Sequence, residues 1–232
     1  ATETLKSVSV DELNTVGQNI RVSALKNAGV DGVNISLDTL DADMYKSLTG
    51  VDGLCNVLGG FYKALETGFS RIRINSVLVR GKNDGEAEKL ISLARDNKTD
   101  VRFIELMPFS GQGEREELVV TNSSLLEKFP FLKKCPDEEG AAVYYTAKAY
   151  MGRVGFISPR SNKFCSSCNR VRLLSDGRIK LCLGNELTVD IREYINDSEL
   201  LREKIREAIL LKPSSHHFED GENFRGLNLI GG

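Results

Sequence analysis

The chain has 232 residues, 41% hydrophobic and 28% charged, enough apolar material for a sizeable core in one large domain or one domain with an appendage. Lys and Arg total 31 against 33 for Asp and Glu, a net charge of −2 that excludes the basic footprint of a general DNA-binding protein. No run of about 18 apolar residues is present to cross a membrane, and Ala1 to Thr15 lack the apolar centre of a secretion signal. Composition alone therefore points to a soluble, intracellular globular protein.

The first half alternates between helical and extended periods. Ile20, Ala24, Leu25 and Ala28 fall at helical spacing, with Gly29 where a C-terminal cap belongs. Val33 to Leu37 predicts a strand ended by Asp38. Leu54, Val57, Leu58, Phe61 and Leu65 predict a helix capped by Gly68, and Ile72 to Val79 a second strand. Asp84 is a candidate N-cap for a helix carrying Ala87, Leu90, Ile91 and Ala94, and Val101 to Leu106 predicts a third strand. This strand–helix–strand order is that of a parallel sheet with right-handed crossovers.

After Pro108 the rhythm changes. Ser110 to Glu117 reads as a loop, Asn122 to Phe129 as a short helix and Val143 to Tyr150 as a strand. Arg170 to Cys182 reads as a hairpin turning at Asp176-Gly177. Asp197 can cap a last helix with Leu201, Ile205, Ala208 and Ile209 facing inward, and the tail from Pro213 is loop-like.

The cysteines are Cys55, Cys135, Cys165, Cys168 and Cys182, an odd number in a chain that needs no disulfide staples. A reduced compartment fits, and there clustered thiols are more often metal ligands than bridges. Cys165-x-x-Cys168 lets two sulfurs point at one ion, and the returning hairpin strand brings Cys182 to the same place. Structural zinc wants four ligands, so Cys135, His216 or His217 would complete a zinc site. A four-iron cluster on three thiolates keeps one iron open. The spacing leaves zinc, iron–sulfur and plain buried thiols all open. Arg170 and Arg172 alternate beside this group, which suits recognition of phosphate or carboxylate; solvated charges on an exposed strand are the plainer reading.

The string Phe164-Cys165-x-x-Cys168-Asn169-Arg170-Val171-Arg172, the third cysteine after thirteen residues and the terminal Gly231-Gly232 resemble the GTP 3′,8-cyclase family, radical S-adenosylmethionine (SAM) lyases of molybdenum cofactor biosynthesis. Asn34 to Asp41, Ile74-Asn75, Arg80-Gly81-x-Asn83-Asp84 and Arg102-Phe103-Ile104-Glu105-x-Met107-Pro108 follow in the family's order, so the resemblance covers about Ala24 to Gly232.

The resemblance implies a C-terminal 4Fe-4S cluster on Cys165, Cys168 and Cys182, with its open iron toward the GTP purine. It implies GTP contacts at Arg73, Arg170, Val171 and Arg172, and at Gly231 and Gly232 of the tail. Ser36 and Met107 match SAM-binding positions, and Arg102 a strand arginine near the shared cavity. The family usually carries lysine where this chain has Arg73. Its Cys-x-x-x-Cys-x-x-Cys motif, which holds the second, SAM-cleaving 4Fe-4S cluster, is not in this sequence; nor is its Gly-Glu-Pro motif, and Asn14 to Gly17 only faintly echo its threonine–asparagine–glycine turn.

The fold this implies is α/β, an incomplete TIM-type barrel represented by its later β/α units in 1–108, with a C-terminal cluster- and GTP-binding region in 109–232. The implied reaction converts GTP to 3′,8-cyclo-7,8-dihydro-GTP, with this chain inactive alone. Implied partners are a second copy in a homodimer and the downstream cyclic pyranopterin monophosphate synthase. The location would be the cytoplasm of a bacterium or the mitochondrial matrix of a eukaryote. From another class, the alternative is a non-catalytic zinc- or cluster-stabilised GTP-binding module.

Overall fold

Apolar residues at every second position of successive segments build the central sheet. The computed structural model describes residues 7–9, 18–108, 115–136, 140–216 and 218, and these divide into two compact units. The first comprises residues up to 106 together with 119–158; the second comprises 107–118 and the residues from 159 onward.

In the first unit, β1 (Ser7–Ser9), β2 (Gly32–Ser36), β3 (Arg71–Val77), β4 (Asp100–Ile104) and β7 (Arg153–Ile157) pair in that order, all parallel. β6 (Val143–Thr146) joins β7 antiparallel, and β5 (Lys133–Lys134) joins β6 antiparallel. The unit is thus a mixed α/β structure on a largely parallel sheet. Val33, Ile35, Ile72, Ile74, Val101, Phe103, Val154 and Phe156 alternate onto one buried face. Helices α1 (Gln18–Asn27), α2 (Ala42–Thr49), α3 (Leu54–Thr67), α4 (Ala87–Asp96) and α5 (Asn122–Lys128) complete the unit.

Several local expectations hold. α3 buries Leu54, Val57, Phe61 and Ala64, and Gly68 closes it at φ 74° with its N–H on the Leu65 carbonyl. Others are corrected. Ala24 and Ala28 are exposed, and α1 turns Val22 inward instead. Asp84 caps no α-helix: it opens a 3₁₀ turn, Asp84–Glu86, and its carboxylate accepts from the Gly81 N–H at 3.0 Å. The strands at 72–79, 101–106 and 143–150 stop at Val77, Ile104 and Thr146. β7, α2 and β10 (Thr188–Asp190) are elements beyond those the sequence pattern predicts. Residues 119–158, which the division at Pro108 grouped with the C-terminal region, complete the sheet of the first unit.

The second unit holds an antiparallel sheet of β8 (Arg172–Leu173), β9 (Arg178–Lys180) and β10, and helix α6 (Ser198–Leu210). The hairpin turns at Gly177, whose φ of 81° favours glycine. Asp197 caps α6 as expected, accepting from the Glu199 and Leu200 N–H groups. Ile179, Leu181 and Ala208 form the small core. Ile209, expected inside, is 45% exposed. Among the described residues no helix is long and apolar enough to cross a membrane.

Candidate functional site

The sheet face opposite the apolar core is polar. Asn34 and Ser36 of β2, Arg73 and Asn75 of β3, Asp100 and Arg102 of β4, and Arg153 of β7 all fall on it, because residues two apart share a face. The register sets Asn34 beside Arg73, Ser36 beside Asn75, and Asn75 beside Arg102. Arg102 spans three strands: its Nε donates to Asn75 Oδ1 at 2.8 Å and its Nη2 to Asn34 Oδ1 at 2.9 Å. Opposite it on β7 stands Gly155, where a Cβ would lie 3.0 Å from Arg102 Cγ and 2.9 Å from the Tyr144 ring. Glycine there leaves the arginine its room.

One row earlier, Asp100 accepts from both Nε and Nη2 of Arg153, at 3.0 and 2.9 Å, and Arg153 lies 4.1 Å over the Tyr144 ring. Arg73 approaches the same carboxylate at 4.0 Å, and its buried Nε has no hydrogen-bond partner among the described residues. The face therefore offers planar donors to a polar or anionic ligand, with Arg102 already oriented.

The loops after β2 and β3 are braced from below. Asn83 donates from its side-chain amide to the carbonyls of Asp38 and Val77, at 2.8 and 3.0 Å, and accepts from the Val79 N–H at 2.7 Å. Asp38 accepts from the Val77 N–H at 2.7 Å. Glu86, 5% exposed, accepts from Thr39 Oγ1 and the Leu40 N–H and pairs with Lys89. Burial pushes its carboxyl up, but these hydrogen bonds outweigh burial and hold it below the ordinary carboxylate value.

In the second unit, Cys165–Ser167 forms a 3₁₀ turn closed by the Cys168 N–H on the Cys165 carbonyl at 3.1 Å. Cys182 follows Leu181, which is fully buried in the small core, so packing fixes where that thiol leaves the hairpin. Neither Arg170 nor Cys182 lies within a strand: β8 begins at Arg172 and β9 ends at Lys180, which corrects the longer hairpin and its alternating arginines. Arg170 and Val171 are exposed, whereas Arg172 is half-buried. Burial and the neighbouring Arg170 push the Arg172 guanidinium below its ordinary value, while Cys182 and Cys168 act in the opposite direction.

All three cysteines carry free thiols, as does Cys55. Among the described residues no three His, Cys, Asp or Glu side chains converge closely enough to hold a metal ion. The donor chemistry nevertheless suits a thiolate-held cluster. Cys168 faces two cations: Arg172, which is electrostatically coupled to it, and Lys212, whose Nζ lies 3.6 Å from its sulfur. Iron–sulfur clusters are held by cysteine sulfurs, and cations beside them offset the negative charge such a cluster carries.

His216, a candidate fourth zinc ligand, has its Nε2 2.6 Å from the Pro159 carbonyl and its ring stacked on Phe218 at 3.9 Å. Cys135 belongs to the first unit, where its N–H donates to the Tyr144 carbonyl. His217, Gly231, Gly232 and Asn14 to Gly17 lie outside the described residues. Met107 groups with the second unit, where it and Leu183 pack against Phe218, while Ser36 and Arg102 belong to the first. Lys212 had no signal in the sequence, since a single lysine after a helix makes no pattern. Asn34 and Asn75 were visible as motif members but not as partners of Arg102.

Residues 99–218 match the model of the family described as Molybdenum Cofactor Synthesis C. The chain belongs to that family. Proteins named GTP 3′,8-cyclase are similar along most of it. One from Pseudomonas putida is 40% identical over 222 residues, covering 90% of this chain and 66% of the relative. One from Peptoclostridium acidaminophilum is 41% identical over 214 residues, covering 90% and 66%. One from Marinobacter nauticus is 38% identical over 222 residues, covering 90% and 67%. The chain thus spans about two thirds of the length of the relatives it matches. The family match runs from Thr99 to Phe218, so it takes in Arg102, the three-cysteine segment and Lys212.

Proposed function

We propose that this chain is the substrate-binding portion of a GTP 3′,8-cyclase, acting in the step that joins ribose C3′ of GTP to guanine C8. The observation that carries this reading is the placement of Arg172, half-buried at the start of the strand that follows the Cys165–Cys168 turn, in a chain 40% identical to proteins bearing that name. A half-buried guanidinium near the thiols provides directional donors for a phosphate or purine group.

In this reading Cys165, Cys168 and Cys182 would hold a 4Fe-4S cluster, which when bound supplies an iron with an open position for a substrate atom. Arg170, Val171, Arg172 and Arg73 would bind GTP, with Gly231 and Gly232 passing close to it. Ser36, Arg102 and Met107 would bind SAM. The protein's contribution is to orient the nucleotide and keep the reacting carbons near one another. Arg102, held by two asparagines, needs no reorganisation to meet SAM. The polar sheet face would be the inner wall of a partial TIM-type barrel, whose strands present function at their C-terminal ends, where Ser36 lies. The Cys-x-x-x-Cys-x-x-Cys motif for a SAM-cleaving cluster is not in this sequence, so the chain on its own binds GTP without turning it over.

The test is calorimetric titration of GTP into the anaerobically reconstituted chain and its Arg172→Ala variant. The reading expects saturable binding that weakens by at least about tenfold in the variant, about 1.4 kcal/mol. Absence of GTP binding, or equal affinity in both proteins, would overturn it.

A further inference from the structure

Lys212 follows α6, and its ammonium joins the two segments that carry the three clustered thiols. Its Nζ lies 3.6 Å from Cys168 Sγ, 2.6 Å from the Arg170 carbonyl oxygen and 3.0 Å from the Leu181 carbonyl oxygen. An ammonium has three N–H donors, and here it meets three acceptors. Two of them belong to the segment leaving the Cys165–Cys168 turn. The third is the residue immediately before Cys182.

The segment around Lys212 is anchored on both sides. Upstream, the N–H groups of Leu211 and Lys212 close the last turn of α6 on the carbonyls of Ala208 and Ile209. Downstream, His216 contacts the Pro159 carbonyl and stacks on Phe218. Gly184, two residues beyond Cys182, makes room for both side chains: a Cβ there would stand 2.6 Å from Phe218 Cε1 and 2.8 Å from His216 Cβ. Lys212, His216 and Phe218 therefore pack against the segment that bears Cys182, with Lys212 nearest the thiols.

We propose that Lys212 is a positioning residue for the three-cysteine site. It fixes the Cys168 and Cys182 segments relative to each other and donates an N–H···S hydrogen bond to Cys168, so that a bound iron–sulfur cluster is held more tightly and is easier to reduce. Hydrogen bonds to ligand sulfur and nearby positive charge favour the more negative, reduced state of a cluster, and partners outside the ligand shell commonly set metal affinity. The inference rests on the cluster reading given above.

The experiment compares the full chain with Lys212→Met, Lys212→Gln and Lys212→Arg after anaerobic loading with iron and sulfide. Iron retained against a chelator and the midpoint potential of the cluster are the readouts. The Met variant should retain iron about 10–100-fold less well, and the cluster it holds should have a lower potential. The Gln variant keeps N–H donors without charge and should recover affinity more than potential, whereas Arg should recover both. Wild-type loading with unchanged retention and potential in the Met and Gln variants would overturn this inference alone. A wild-type chain that takes up no iron would overturn the cluster reading and this inference with it.

Discussion

Thr39 donates its hydroxyl hydrogen to Glu86 Oε2 at 2.8 Å, across 47 residues of sequence, and both side chains are buried. The bond ties the loop that follows Ser36 to the turn that precedes α4. Through the Leu40 N–H, the same carboxylate oxygen also fixes the entry to α2. The polar sheet face thus ends in loops whose geometry depends on one buried acid.

That acid makes stability depend on pH in a defined direction. Hydrogen bonds hold the Glu86 carboxyl below its ordinary value, so its contribution is complete above about pH 4.5 and is lost as pH falls through the depressed folded value. Glu86→Gln should cost about 1–3 kcal/mol at pH 7. The difference from wild type should stay flat down to about pH 5 and shrink below about pH 4.3. Urea denaturation of both proteins at several pH values checks this, and a difference that grows on acidification would contradict it.

Asn83 should be still less replaceable. Its amide satisfies two carbonyls and one N–H in the same junction, all within 3.0 Å. Asn83→Ala leaves several buried groups unpaired, at about 1–3 kcal/mol each. A loss of at least about 2 kcal/mol in denaturant unfolding is expected, well above that of an exposed Asn→Ala change.

Gly155→Val addresses the space around Arg102. Its Cβ would crowd Arg102 Cγ and the Tyr144 ring, both already within 3.0 Å of a Cβ there. Overpacking should cost about 1–3 kcal/mol and push Arg102 off Asn34 and Asn75. A crystal structure of the variant retaining both arginine bonds would refute the claim that glycine reserves this space.

Much of the first unit was legible because its strands alternate. Val33, Ile35, Ile72, Ile74, Val101 and Phe103 repeat with period two, and each segment is followed by a polar turn or a helical period. β7 broke that rule: Val154, Gly155, Phe156 and Ile157 are all buried, so no alternation marks them, and Gly155 reads as a breaker. α2 escaped notice because its eight residues bury only Tyr45, although Asp41 and Gly50 cap it. At the site, the thiol spacing and the neighbouring arginines could be read directly. The lysine that joins them could not, because Lys212 is thirty residues beyond Cys182 and contacts carbonyl oxygens, which any sequence would supply.

The function proposed for this chain depends on what the three cysteines hold. Iron and acid-labile sulfide, measured per chain after anaerobic reconstitution and desalting, test it most directly. About four of each are expected for one cluster, with Cys182→Ser losing most of both. Stoichiometric zinc with no sulfide would contradict a cluster at this site.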